Sequence, residues 1–390
     1  MNMKENVLII GGGPAGSASA MNLLQKGFSP TIIESESFPR YHIGESLTTE
    51  CVDALNRLGL SEQLQALKAP QKQGVRVFSK HPENSFYIGA GDAWQVERAT
   101  FDTMMLNEAQ KRGAKHIQAK VKKLTQQTDN WILELDNGQS LESRFVIDAS
   151  GQQRLSHKQG LFGPIKDGTY QHQVAFFAQY HGIKRKNSDQ FDTLIFHIDS
   201  HAWCWMIPLS EDVTSIGLVV PVDQYKQKKL KPDLFMDHRL SNFSLPMMER
   251  TKDATRISEV RTMSNYSYCI DEYCRDGLFC VGDSHRFIDP IFSFGVEFAV
   301  VEAAYVARAI EKCCKTPSKA NEHHHEYMQC TTQAQNIIED ILAYFWAHPW
   351  GFANMAHFRH ADEFLEIFAG RIYETEPGEG LLKVREELQQ

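Results

Sequence analysis

Asn6 to Glu34 reads NVLIIGGGPAGSASAMNLLQKGFSPTIIE, and the reading of the whole chain starts from it. Val7 to Ile10 is a short apolar run of the kind that forms a parallel strand buried on both faces. Gly11, Gly13 and Gly16 follow in G-x-G-x-x-G spacing, and Ala15 to Leu24 continue as a helix of small residues that Gly27 stops. Thr31 to Ile33 then predict a second strand, with Glu34 at its end. Each part has a physical task. The first glycine makes the tight turn, and the second lets backbone approach a pyrophosphate. The third lets helix and strand pack closely, while the helix N-terminus offers unpaired N–H groups and a favourable dipole. Glu34 is placed to accept hydrogen bonds from a ribose. A lone glycine motif can be purely steric. With a strand before it, a helix after it and an acid closing the second strand, it predicts a dinucleotide site.

Outward from that stretch, 390 residues suffice for two intimately joined domains. The net charge of −8 argues against nucleic acid as a partner, because phosphate binding needs a basic surface. No run of eighteen apolar residues is present to span a membrane. The chain enters its first strand directly, leaving no room for a signal peptide. The eight cysteines show neither C-x-x-C nor zinc-like spacing. Together these features predict a cytoplasmic protein with reduced thiols and no metal. His323, His324 and His325 are consecutive and fan out around a helix, which predicts a solvated helix face.

After Glu34, Phe38-Pro39 breaks regular structure, Arg40 lies near the nucleotide site, and Gly44-Glu45-Ser46 opens a helix. Residues 71–90 predict a β-hairpin turning around His81 to Asn84, with Lys72 and Lys80 on or near its strands. Taken alone, both lysines read as solvated charge. Arg98 precedes a helix with Asp102 in its first turn. Strands are expected at Ile117 to Leu124, Trp131 to Leu135 and Phe145 to Ile147, the last ending in the small-residue turn Asp148-Ala149-Ser150-Gly151. Residues 172–220 change to β-branched and aromatic runs that predict an antiparallel sheet. Within it Trp203, Trp205 and Ile207 alternate onto one face. Leu278 to Val281 then leads through Gly282-Asp283 to a loop and a helix opened by Gly295, whose N-terminus attracts anions. About Ser318 to Phe368 is aromatic-rich and helical, and the polar tail from Gly370 reads as mobile.

These features occur in the order found in FAD-binding proteins of the aromatic-hydroxylase type, and two stretches narrow the resemblance. Trp203-Cys204-Trp205-Met206-Ile207-Pro208 fits W-x-W-x-I-P, and Phe38-Pro39-Arg40 through Gly44-Glu45-Ser46 resembles the flavin strap of flavin-dependent halogenases. Asp289 to Val296 looks like the same family's halide and flavin loop. The resemblance covers roughly the first four-fifths of the chain. It implies an α/β fold with a Rossmann-like FAD-binding domain over 1–170 and 271–315, including the hairpin 71–90 facing the substrate. An inserted antiparallel-sheet substrate domain would span 171–270, and a helical region 316–390.

The resemblance also implies an activity: reduced FAD, oxygen and a bound chloride or bromide give hypohalous acid, and a lysine presents the halogen to an electron-rich ring. Cofactor contacts are expected from Gly11, Gly13, Ala15, Gly16, Glu34, Arg40, Gly44, Glu45, Arg98, Val121, Asp283, Pro290, Gly295 and Val296. The halide would sit at Ser293, Phe294 and Gly295, where backbone amides are available. Trp203, Trp205, Ile207 and Pro208 would wall the substrate off from the flavin. Lys72, in Lys72-x-Gly74, matches the pattern of the phenol- and pyrrole-halogenating branch and replaces the bland reading of that residue; Lys80 is the fallback. Phe292 stands where tryptophan-acting members carry Glu, so the expected substrate is a phenol or pyrrole, free or tethered to an acyl-carrier protein. FADH2 is expected from a separate flavin reductase. The competing readings are an FAD-dependent aromatic hydroxylase, a flavin reductase of isoprenoid double bonds, and a flavin-binding protein without turnover.

Overall fold

Val7, Leu8 and Ile9 are at most 1% exposed, which both faces of a central strand require. The computed structural model describes residues 5–78, 85–168, 172–199, 201–264 and 267–389. Asn6–Ile10 pairs in parallel with Ser29–Glu34 on one side and Phe145–Asp148 on the other. The sheet they build has six strands, in the order Cys274–Arg275, Leu278–Cys280, Phe145–Asp148, Asn6–Ile10, Ser29–Glu34, Lys115–Gln118. Two of the predicted glycine roles, the tight turn and the close packing, are visible. Gly11 sits at φ +101°, and a Cβ there would lie 2.4 Å from the carbonyl oxygen of Ala149. Gly16 is a packing glycine, since its Cβ would fall 1.9 Å from the Gly11 carbonyl oxygen. The helix Pro14–Gln25 can therefore lie directly on the strand.

The run expected as one strand at Ile117 to Leu124 is two. Lys115–Gln118 closes the parallel sheet, and Val121–Gln126 opens a separate three-stranded sheet with Trp131–Leu135 and Ser140–Ser143.

The larger sheet has eight strands. Gln173–His181, Val213–Pro221, Ala202–Pro208 and Thr193–Asp199 are its antiparallel middle, as the β-branched runs predicted. Gln71–Phe78 and Ser85–Trp94 then extend it, the first joined in parallel to Thr193–Asp199. The hairpin expected with the FAD-binding domain is thus hydrogen-bonded into the eight-stranded sheet. Lys80 and the turn at His81 to Asn84 lie outside the described residues.

Alternation along Ala202–Pro208 separates two cores. Trp203, Trp205 and Ile207 join a cluster with Phe294, Phe298, Ile337, Phe345 and Phe352. Cys204 and Met206 point the other way, toward Phe176, Phe235 and Met247. The tail expected to be mobile is instead anchored. Glu379–Leu388 is a helix that buries Leu381 and Val384, and its Arg385 bonds Asp340 at 2.7 Å. The solvated reading of the histidine run also fails for two of its three members. His323 and His324 are buried in the helix Ala320–Ala347, His323 against the Thr316 hydroxyl at 2.7 Å and His324 edge-on to Phe279. No metal-holding group occurs among the described residues, and no helix there is long and apolar enough to cross a membrane.

Candidate active site

Between the two sheets lies a cavity of about 480 Å³. At one end the nucleotide turn contributes Gly11, Gly13 and Ala15, with Glu34 beside them. The Glu34 carboxylate is partly engaged already, accepting the Gly12 amide at 2.6 Å and the Glu36 amide at 2.7 Å. This holds it rigid at the strand end, with its remaining lone pairs for a ribose. Val121 lines the same end, where the chain passes between two sheets.

The strap closes one side through an arginine clamp. Arg98 donates to both carboxylate oxygens of Asp102, at 2.7 and 3.0 Å, and to the carbonyls of Ile43 and Gly44 at 2.7 and 3.3 Å. Arg40 shares Asp102 at 3.2 Å. A bidentate guanidinium is geometrically demanding, so this arrangement orients the strap and leaves Arg40, Gly44, Glu45 and Arg98 on the cavity wall. Asp283, also on the wall, has its carboxyl pushed up to about 7 by burial, with Arg98 and Gln152 pulling it back toward the charged form.

At the other end, Asp289 caps a short turn by accepting the Ile291 amide at 3.1 Å, and Ser293 takes a left-handed conformation at φ +66°. The helix Gly295–Lys315 begins there. Pro290, Ser293, Gly295 and Val296 line the cavity, whereas the Phe294 ring turns into the core against Phe298. Phe294 can therefore serve a halide only through its backbone amide. The first amides of this helix have no carbonyl one turn back to bond, which suits them to an anion.

Trp203, Trp205 and Ile207 form the facing wall. Pro208, expected with them, does not: the two-residue period of the strand puts it on the opposite face. The Trp205 ring lies flat over Gly217, and a Cβ at that glycine would come within 1.9 Å of it. The indole nitrogen of Trp205 donates to Ser215 at 3.3 Å. Gly217→Ala is expected to destabilise the fold by about 1–3 kcal/mol by forcing this ring away, measurable as a lower denaturation midpoint; an unchanged midpoint would show that the ring is free to move.

Lys72 is 4% exposed and donates to the Ser46 hydroxyl at 2.9 Å. It stands behind Ser46, which itself lines the cavity. Burial lowers its ammonium to about 8, against an opposing pull from the Asp192 carboxylate. Asp192, also buried, receives Arg76 at 3.3 Å. Neither Ser46, Ser215 nor Asp192 was marked as a site residue by a local motif. They come from the strap, a strand and the residue before another strand, far apart in the chain. A signal was present only in Ser46, two residues after the strap glycine.

The cavity has the features a dinucleotide and its ring system require: a glycine turn open to backbone approach, an acid at the second strand and a helix N-terminus. Comparison with known proteins agrees. Residues 6–87 and 77–349 match the family model for tryptophan halogenase. The chain belongs to the tryptophan halogenase family. The 1H-pyrrole-2-carbonyl-[peptidyl-carrier protein] brominase of Pseudoalteromonas luteoviolacea is 34% identical to this halogenase over 95% of the chain and 93% of that protein. The corresponding chlorinase of Pseudomonas fluorescens is 29% identical, over 98% of the chain and 92% of its own length. The solved structure of the flavin-dependent brominase Bmp2 superposes with a TM-score of 0.94 at 32% identity, covering 99% of the chain and 98% of Bmp2. The enzyme is a flavin-dependent halogenase, an oxidoreductase that uses FAD and a halide.

Proposed function

We propose that this halogenase brominates or chlorinates a pyrrole ring carried as a thioester on a carrier protein. The observation that carries the reading is Lys72, buried and bonded to Ser46, which lines the cavity together with the halide-loop residues. Support for the ring comes from two relatives that act on carrier-bound pyrrole. It comes too from Phe292, which packs against Phe345 and Phe352 instead of offering a carboxylate to an indole.

When bound, reduced FAD supplies with oxygen the oxidising equivalent that converts halide to hypohalous acid. The protein's part is positional. Gly11, Gly13, Ala15, Glu34, Arg40, Gly44, Arg98, Val121, Asp283, Pro290, Gly295 and Val296 hold the cofactor, with Gly16 setting the helix beneath it. The helix-start amides near Ser293, Phe294 and Gly295 receive the halide, desolvated by the surrounding aromatic rings. Trp203, Trp205 and Ile207 keep the substrate ring at a distance from the flavin, which disfavours direct oxygen transfer. Lys72 receives the oxidant and directs its halogen at the ring. A low-dielectric pocket strengthens such a donor and fixes its position before reaction.

The test is mass spectrometry of free and carrier-bound pyrrole-2-carboxyl substrates and of phenols, with bromide or chloride and an added flavin reductase. Halogenated carrier-bound pyrrole supports the reading; hydroxylated product without halogen would replace it by the hydroxylase. Electron supply is tested separately. One dinucleotide-type sheet occurs among the described residues, so FADH2 is expected from a separate reductase. NADPH alone is expected to leave the bound flavin oxidised, and rapid bleaching of its absorbance by NADPH would contradict this.

A further inference from the structure

Halogenation must remove a proton as well as add a halogen. Once the ring carbon has taken the halogen it carries an extra bond and a positive charge, and aromaticity returns only when the C–H bond breaks. Four carboxylates line the cavity among the described residues: Glu34, Glu36, Glu45 and Asp283. Glu34 is engaged by the amides of the nucleotide turn, and Glu36 pairs with Arg40 at 3.1 Å. Asp283 belongs to the turn facing Arg98 and Gln152. His42 also lines the cavity, but burial and the Arg98 charge lower it to about 4, which makes its ring a weak base.

Glu45, expected from the resemblance as a cofactor contact, differs from all of these. It is 2% exposed, and no hydrogen bond of normal geometry reaches either carboxylate oxygen. An unpaired buried carboxylate is costly, so its persistence calls for a use. Ser215, the hydroxyl that receives Trp205, is near enough to favour its charged form. On its other side in sequence is Ser46, the residue that holds Lys72. Glu45 thus lines the cavity beside Ser215 and the tryptophan wall, one residue along the chain from the serine that holds Lys72. Its carboxyl is pushed up to about 7, chiefly by burial and in part offset by Ser215 and Arg98, and a base is most effective near the working pH.

We infer that Glu45 is the base that accepts the ring proton displaced by the halogen. This rests on the halogenase reading with Lys72 as the residue presenting the oxidant. In the step, the ring's electron pair forms the C–X bond and the X–O bond of hypohalous acid breaks, its pair staying on oxygen. The hydroxide so released takes a proton from the Lys72 ammonium and leaves as water. The C–H bond then breaks, its pair returns to the ring, and the proton passes to the Glu45 carboxylate. Loss of that proton from Glu45 to solvent, and uptake of one by the Lys72 amine, restore the starting state.

The test is single-turnover halogenation of carrier-bound pyrrole, with ring hydrogens replaced by deuterium, in the wild type and in Glu45→Gln. The wild type is expected to show an isotope effect near unity, because proton loss is fast. Glu45→Gln is expected to keep its FAD, to slow by about 10²-fold and to show a primary isotope effect, since proton loss now limits. Glu45→Asp, with a shorter carboxylate, should fall between the two on both measures and serves alone if the Gln variant does not fold. An unchanged rate, or a slowed rate without an isotope effect, would overturn the assignment. Loss of FAD from both variants would do so as well and make Glu45 a cofactor ligand. If the wild type yields no halogenated product, it is the underlying halogenation reading that fails.

Discussion

Lys72→Ala is expected to fold, retain FAD and consume oxygen when FADH2 is supplied, yet to lose halogenated product by a factor on the order of 10²–10³, the loss typical of removing one positioned donor. The separation follows from geometry. On the proposed placement the cofactor is held by the glycine turn, the Arg98 clamp and the helix at Gly295, while the Lys72 ammonium bonds only Ser46 among the described residues, at the end of the strap. Lys72→Arg should fail nearly as badly. A planar guanidinium is larger than an ammonium and presents its protons in a fixed fork. The pH dependence has a definite sign. The folded-state value of about 8 lies below the ordinary 10.5, so burial penalises the charged form. Below pH 8 the ammonium persists and the folded state carries that penalty. Between 8 and 10.5 the amine is neutral in the folded protein and the penalty is relieved. If the ammonium directs the halogen, transfer should decline as pH rises through about 8 in the wild type, without a corresponding loss of stability from this group. Lys80→Ala is the companion variant, expected to stay active. A fully active Lys72→Ala enzyme would remove the residue from the mechanism, and loss confined to Lys80→Ala would move the role there.

The second large effect is expected at Gly13. Gly13→Val should purify without stoichiometric FAD and show no halogenation. Of the glycines in the turn it is the cleanest probe of ligand contact. Gly11 and Gly16 would bring a Cβ against backbone at 2.4 and 1.9 Å, so their substitution damages the fold itself. Gly13 has an ordinary φ of −68° as the residue before the helix Pro14–Gln25, and a Cβ there meets only the Arg40 guanidinium, at 3.3 Å. Gly13 lines the cavity, so a binding defect without unfolding is the expected signature if the pyrophosphate is held at this turn as proposed. The checks are flavin absorbance per protein after gel filtration and a thermal midpoint near that of the wild type. Stoichiometric flavin in a folded Gly13→Val protein would displace the pyrophosphate from this turn.

Much of the site was legible because its chemistry uses local backbone geometry. A glycine turn between strand and helix, an acid closing the next strand and a tryptophan pair two residues apart are patterns of period and spacing. Period two along Ala202–Pro208 sends Trp203, Trp205 and Ile207 to one face, and the same rule should have excluded Pro208. The buried histidines and the anchored tail were misread for a different reason. Polar sequence does not reveal that a neighbouring element will cover it, as the Glu379–Leu388 helix and Phe279 show.

From the sequence alone came the dinucleotide turn, the α/β class and the sheet of the middle third, since each is written in residues adjacent or regularly spaced along the chain; the lysine to suspect came from the family resemblance, because taken alone it reads as solvated charge. Only the tertiary structure decided where that lysine goes. Gln71–Phe78 joins the large sheet by a parallel pairing with Thr193–Asp199, more than a hundred residues on, and so carries Lys72 to Ser46. The bonds from Arg98 to the strap carbonyls of Ile43 and Gly44, and the burial of Glu45, arise in the same way. Hydrogen bonds and burial between distant segments depend on which strands find one another. That choice is made by the packing of the whole chain and is not encoded in any single stretch of it.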